Sequence, residues 1–408
     1  MDGTDVRTKG QDAPHFFKML RKFLKKECID EFHPSYFVGF LGCGITANIL
    51  YGFPFEAQWL RICGIIMFCL TILIFVSTNI MLVLSCWYYP ERISLYMHKY
   101  NYSIYFAVHS MGYTTIVNAI HLFVQGRYPI FLWVLWWIGV GIATFNNTIL
   151  FYFTFLSKLN IHTMSDINST VLMHVVCCCV ISSTGHIIAA DLEGRNQQII
   201  TELLAFMLFC ISIMLFHGVG AVYMMRLILL KVPDTSQIFT QFLPVGFTGQ
   251  SSYSIMLFGN NMFHFIPDKV LGTSFLVPCA LSAYLLLAGA YIYMIIAIIS
   301  CMSKSRPFAT NVNPEWTTKR FGLIKWSKGW WTMTFPVGTM SLANGEIAKG
   351  VGGYDFVFFK VMSAIFAVAL VFICLVNLTG LTMSIAAKIK AAFFATPTDL
   401  QFSVKDKV

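Results

Sequence analysis

The chain has 408 residues; 57% are hydrophobic and only 12% are charged, roughly half the charged share of an ordinary soluble domain. With a mean hydropathy of +0.69 it has too few polar residues to cover a soluble surface, which excludes a soluble enzyme and a disordered regulator. The net charge of +9 is spread between apolar runs rather than gathered into a patch, which points to a membrane surface and not to nucleic acid.

Residues 1–34 are polar and carry the basic run Lys18, Arg21, Lys22, Lys25 and Lys26. They read as a cytoplasmic amino-terminal tail rather than a cleavable leader. Ten apolar segments follow, at 36–53, 59–88, 104–124, 129–157, 170–190, 198–226, 234–258, 271–302, 329–347 and 355–386. Each is long enough for a helix to approach or exceed the thickness of a bilayer core. None shows the alternation of a β-barrel strand. The odd segments are shorter and rich in Gly, Ser, Thr and Asn; the even ones are longer and more uniformly apolar. Residues 387–408 read as a cytoplasmic carboxy-terminal tail, leaving 35–386 as one membrane domain.

Basic residues alternate with the segments. If both tails face the cytoplasm, 22 of the 28 Lys and Arg fall on that side. The other side receives Arg61, Arg127, Arg195, Lys269, Lys349 and, just inside a helix, Lys360. One missed span would scramble this split, so both termini are expected to be cytoplasmic. The outer connectors are short, which makes antiparallel helix pairs. The expected fold is an all-α integral membrane protein: ten transmembrane helices as five helical hairpins around a central pore. The sequons at Asn101, Asn146, Asn168 and Asn377 fall in predicted helices or cytoplasmic loops, so none should be glycosylated.

The odd helices carry an internal repeat. Gly42-x5-Asn48, Gly112-x5-Asn118 and Gly338-x5-Asn344 share one pattern, with Gly246-x5-Ser252 and Cys179-x5-Gly185 as weaker copies. Pro244 and Pro336 each open a Pro-Val-Gly and are expected to kink helices 7 and 9. Helical spacing from the repeat predicts a common face: Phe335, Thr339, Leu342 and Glu346 in helix 9, His109 and Tyr113 in helix 3, Cys43 and Thr46 in helix 1, Phe247 and Gln250 in helix 7, Val180 and Ser183 in helix 5. If that face lines a pathway, the pathway is nearly uncharged, with an aromatic layer at Phe335.

The chain lacks a nucleotide-binding loop, a metal-ligand cluster, paired carboxylates and a nucleophile elbow, so neither enzyme chemistry nor a cofactor or metal is expected. The twelve cysteines show no ligand spacing and read as small apolar residues. His121, His174, His186 and His217 fall in predicted spans and read as hydrogen-bonded structural histidines; His109 is singled out because the repeat places it level with Phe335. Glu346 reads as interfacial, and Arg61 as a partner of Glu56. A pathway of hydroxyls, amides and dipoles suits a small anion, since a strong cationic site would trap it.

The stretch Gly44-Ile-Thr-Ala-Asn-Ile-Leu-Tyr-Gly-Phe-Pro-Phe-Glu-Ala-Gln-Trp-Leu-Arg61, the stretch Trp330-Trp-Thr-Met-Thr-Phe-Pro-Val-Gly-Thr-Met-Ser-Leu-Ala-Asn344 and Val134-Leu-Trp-Trp137 resemble the tellurite-resistance/dicarboxylate transporter family. That family is plant guard-cell anion channel-like, and the likeness is to its fungal sulfite-exporting members. It covers about residues 33 to 385. The resemblance implies ten helices, a homotrimer in the plasma membrane and an aromatic gate that maps onto Phe335. It also implies efflux of sulfite or bisulfite, with a malate or other dicarboxylate carrier or an anion channel as the alternative. Cys177 stands where the family pattern has proline in helix 5.

Overall fold

A computed structural model describes residues 21, 25–158, 160–305, 308, 324–350 and 355–394. The expected tails therefore lie largely outside the described residues, as does most of the basic connector between Lys304 and Lys328. The described residues are helical and contain no β-sheet. In chain order the long helices are α1 (Phe37–Tyr51), α2 (Gln58–Tyr88), α3 (Tyr100–Val124), α4 (Pro129–Phe145), α5 (Met173–Asp191), α6 (Arg195–Leu230), α7 (Leu243–Phe265), α8 (Lys269–Ser303), α9 (Thr334–Ala348) and α10 (Val357–Phe394). A short helix, Glu91–His98, precedes α3, and two π-helical turns carry α4 on to Leu156.

The odd helices touch one another in cyclic order. α1 packs on α3, α3 on α5, α5 on α7, α7 on α9, and α9 returns to α1. Each even helix lies against the odd helix before it and the one after it: α2 on α1 and α3, α4 on α3 and α5, α6 on α5 and α7, α8 on α7 and α9, α10 on α9 and α1. Composition explains the sorting. The best apolar window of α2 is only 11% buried, whereas that of the segment Ser169–Asp191 is 94% buried. The uniformly apolar helices take the outside, where Leu73, Val83, Met214, Leu285 and Phe372 stay exposed. Those with Ser, Thr, Asn and Gly go inside, where small residues allow close approach and polar side chains find partners. Among the described residues, six helical segments are long and apolar enough to cross a membrane: Gln58–Tyr88, Pro129–Leu156, Ser169–Asp191, Arg195–Leu230, Lys269–Ser303 and Val357–Ala391.

Glycines set the contacts. A Cβ at Gly42 would lie 2.7 Å from the Trp331 ring and 2.8 Å from Thr334 Oγ1. Gly338 presses on Ile45 of α1, and Gly112 on the Phe40 ring. These contacts join the first inner helix to its neighbours on both sides.

Several sequence expectations are corrected. Pro244 and Pro336 do not kink helix interiors; they are the second residue of α7 and the third of α9. The first helical turn has no acceptor for its N–H groups, so proline costs nothing there. A 3₁₀ segment leads into each of these helices, Thr235–Phe242 before α7 and Lys328–Met333 before α9. Ser169–Leu172 does the same before α5 and Pro34–Tyr36 before α1. The interior proline is Pro278 in α8, which the sequence reading passed over. Helix 7, expected at 234–258, runs on to Phe265, leaving only 266–268 before α8. Helix 10 continues to Phe394, so the boundary expected at 386/387 falls within it.

Gly64 tests this packing. A Cβ there would sit 2.9 Å from Tyr51 N and 3.0 Å from Ala47 O, both backbone atoms that cannot step aside. Gly64→Ala should destabilise the protein by about 1–3 kcal/mol. Gly141→Ala, where a Cβ meets nothing within 4 Å, should leave the thermal midpoint in detergent unchanged or raised. Equal midpoints for the two variants would contradict the α1–α2 packing.

Candidate functional site

The structure brings together some of the residues singled out from sequence and separates others. Phe335 and Thr339 lie at the seam between α7 and α9. A Cβ at Gly246 would be 3.2 Å from Phe335 Cδ1, and one at Gly249 would be 2.9 Å from Thr339 Oγ1. The two glycines therefore make room for the α9 side chains. Phe335 is 6% exposed, and the Thr339 hydroxyl donates to Pro336 O at 2.8 Å.

Gln250 and Ser183 meet at the next seam, between α5 and α7, where Gln250 Nε2 donates to Ser183 Oγ at 2.6 Å. This seam is a polar ladder. Cys179 Sγ lies 3.3 Å from Ser251 Oγ, Ser182 Oγ lies 3.0 Å from Ser254 Oγ, and Asn261 Nδ2 donates to His186 O at 2.6 Å. Residue numbers rise together along both helices, as in a parallel pair.

Two expected lining residues face elsewhere. Thr46 donates to Gly42 O at 2.7 Å and lies, with Cys43, against Cys374 of the outer helix α10. His109 packs between α3 and its neighbours α1 and α2. Its ring sits among Phe37, Phe40 and Phe75, with centroids 5.0, 5.7 and 5.6 Å away. Its Nε2 lies 3.0 Å from Asn79 Oδ1 of α2. These are the contacts of a packed, hydrogen-bonded histidine.

The asparagines of the repeat serve structure. Asn48 Nδ2 donates across the α1–α3 seam to Thr115 O at 3.0 Å. Asn344 Nδ2 donates to Met340 O at 2.8 Å, and its Oδ1 accepts from Tyr291 of α8. Asn118 is half-buried, and its Oδ1 has no partner among the described residues. Arg61 bonds Glu56 at 2.8 Å, as its spacing suggested.

Three carboxylates near the C-terminal ends of the inner helices escaped the sequence reading as a set. Asp191, the last residue of α5, meets His121 Nε2 of α3 at 2.5 Å. Glu202 of α6 lies 2.9 Å from His186 Nδ1, and both side chains are fully buried. Glu346 of α9 is buried; it accepts from Asn260 Nδ2 at 2.9 Å and pairs with Lys349 Nζ at 2.6 Å. Adjacent residues of α7 therefore serve two of them, Asn260 for Glu346 and Asn261 for Glu202 at 3.1 Å. An acid inside an apolar run, as Glu202 is, was the signal that could have found this set.

At the opposite ends, the starts of α1 and α9 meet. Lys328 Nζ lies 4.6 Å over the Tyr36 ring. Burial and the nearby Lys328 ammonium hold His33 below the ordinary imidazole range. No group of three metal-ligating side chains occurs among the described residues.

A family model described as a voltage-dependent anion channel, SLAC1, matches residues 31–382. The chain is 43% identical over 371 residues to the sulfite efflux pump SSU1 of Candida albicans, covering 90% of this chain and 77% of that protein. It is 27% identical over 369 residues to the sulfite efflux pump SSU1 of Saccharomyces cerevisiae, covering 78% and 79%. To the protein of the same name from Arthroderma benhamiae it is 25% identical over 346 residues, covering 83% and 87%. With apolar helices on the outside of a polar-seamed helical ring and a family match over most of its length, the chain is a multi-pass membrane protein that belongs to the voltage-dependent anion channel family.

Proposed function

We propose that this chain exports sulfite or bisulfite across the plasma membrane, with both termini cytoplasmic and residues 35–386 as the transport domain. The observation that carries the substrate is the 43% identity, over 90% of the chain, to a protein named a sulfite efflux pump. Ten spans arranged as five hairpins account for the cyclic helix contacts and for the split of basic residues. On this reading α1 and α9, at 15 residues each, are too short to cross alone, and their 3₁₀ leads extend them toward the membrane surface. The anion passes along the inside of the odd-helix ring, between seams of hydroxyl and amide groups, and three such protomers form a homotrimer.

Phe335 is the gate in this scheme. Glycine at 246 opposite its ring leaves the phenyl group freedom to pack against α7 or swing toward the axis. A dry aromatic constriction blocks ions by excluding water. Phe335→Ala should therefore raise anion flux per molecule and weaken selectivity. If the ring is only a packing element, its loss leaves a cavity costing about 3–5 kcal/mol. A thermally weakened variant with flux no higher than wild type would take Phe335 out of the gate.

Two further outcomes test the reading. Cells lacking this protein should become sulfite-sensitive and retain sulfite. Unchanged sulfite tolerance with lost malate transport would move the assignment to a dicarboxylate carrier. His109→Gln should lower the thermal midpoint, because a ring packed among three phenylalanines is lost. Its pH profile of flux should match wild type; a changed profile would return His109 to the pathway.

A further inference from the structure

The contact between His186 and Glu202 has a proton inventory that can be counted. Ser182 Oγ donates its single hydrogen to Ala205 O at 2.6 Å. His186 Nε2 lies 3.3 Å from the same oxygen; with the hydroxyl hydrogen spent, a hydrogen bond there takes its hydrogen from the imidazole, and Nε2 is assigned as protonated on that ground. His186 Nδ1 lies 2.9 Å from Glu202 Oε1. Two lone pairs cannot meet at that distance without a proton between them. The pair therefore holds one proton beyond the Nε2 hydrogen, and its net charge is zero whether that proton sits on nitrogen or oxygen. Glu202 Oε2 accepts from Asn261 Nδ2, which completes the carboxyl group.

Nothing else nearby would neutralise Glu202 if the shared proton left. Among the described residues the cationic partner of Glu202 is His186, and no Lys or Arg pairs with it. α7 presents the Asn261 amide and the Phe258 ring, whose centroid is 5.6 Å from the imidazole. Phe206 of α6 stacks on Phe258, and α8 presents the Cys279 thiol. α4 packs on α5 one residue earlier, through Trp136 against Gly185. The acid of α5, Asp191, is engaged by His121. Losing the proton would thus place one negative charge in a fully buried setting with no cation beside it.

The pair lies one turn along α5 from Ser183, which bonds Gln250, and it shares the α5–α7 seam through Asn261. We propose that His186 and Glu202 form a one-proton binding site in the wall of the anion pathway. With the proton bound the seam is neutral; with it gone the seam carries a negative charge that repels the passing anion. Proton binding and anion binding are then mutually favourable, as linkage requires. This rests on the export reading for the identity of the anion, but the proton site itself does not depend on it.

The test uses full-length wild type, Glu202→Gln and His186→Gln in detergent and in liposomes. Glutamine at 202 can donate to Nδ1 and accept from Asn261, which fixes the neutral state. Glutamine at 186 can donate to Glu202, which fixes the charged one. Thermal midpoints between pH 6 and 9 read the proton site whatever the anion. Wild type should lose stability toward alkaline pH more steeply than Glu202→Gln, and parallel curves would overturn the site. Sulfite flux from the liposomes reads the coupling. Taken as a ratio to wild type at each pH, sulfite speciation cancels. The Glu202→Gln ratio should climb with pH, by up to about tenfold per unit, the limit for one proton. The His186→Gln ratio should be lowest at acid pH. Ratios independent of pH for both variants would overturn the coupling. If Glu202→Gln does not fold, the His186→Gln ratio alone decides it, flat against the proposal and rising for it. Wild-type liposomes that pass no sulfite would defeat the export reading, and the midpoints would still judge the proton site.

Discussion

The inner ring has to close, and the seam between α9 and α1 is where it does so. Trp331 and Thr334 lie against Gly42, and Ile45 lies against Gly338, joining the first and ninth helices across most of the chain. In a bilayer the hydrophobic effect does not drive one apolar helix onto another, so close packing and buried polar contacts must do it. Small residues at the seams permit the first. The hydroxyl and amide ladder between α5 and α7 supplies the second. Replacing a seam glycine by a larger residue would open the ring at one joint and displace both neighbouring helices.

The same polar residues that hold the ring give it its chemical character. Ser183, Gln250 and Thr339 offer dipoles and carry no formal charge, so an anion near them is held weakly. The formal charges sit toward the ends. Lys328 stands where α1 and α9 begin, while Asp191 and Glu346 stand near the C-terminal ends of α5 and α9 and Glu202 near the start of α6, each beside a cationic or titratable partner. A buried carboxylate left without a partner is costly, so each is held beside such a group. In the proposed orientation an anion approaches from the cationic end and leaves past the paired acids.

Much of the fold was legible because it follows from composition. The alternation of Ser- and Gly-rich with uniformly apolar segments predicts which helices lie inside, and the burial of α5 against the exposure of α2 agrees. The glycine repeat falls at close approaches: a Cβ at Gly42, Gly112, Gly246 or Gly338 would lie within 3.2 Å of a neighbouring segment. It misjudged the facing in α1 and α3 because a repeat in sequence does not fix how far each helix rotates about its own axis. Thr46 turned toward α10 and His109 toward α2. Proline misled for a related reason: its effect depends on whether it falls in a helix interior or first turn, and the 3₁₀ leads that settle this have no sequence signature of their own. The His186–Glu202–Asn261 knot joins three helices, and pairing across helices cannot be read from spacing along any one of them.

The central claim is that the ring passes sulfite in preference to larger anions. The most direct measurement is ion replacement with the purified wild-type protein in liposomes, sulfite or malate being the sole permeant anion in turn. The account predicts sulfite flux that requires the protein and malate flux near that of empty liposomes. Malate flux with none for sulfite would contradict it.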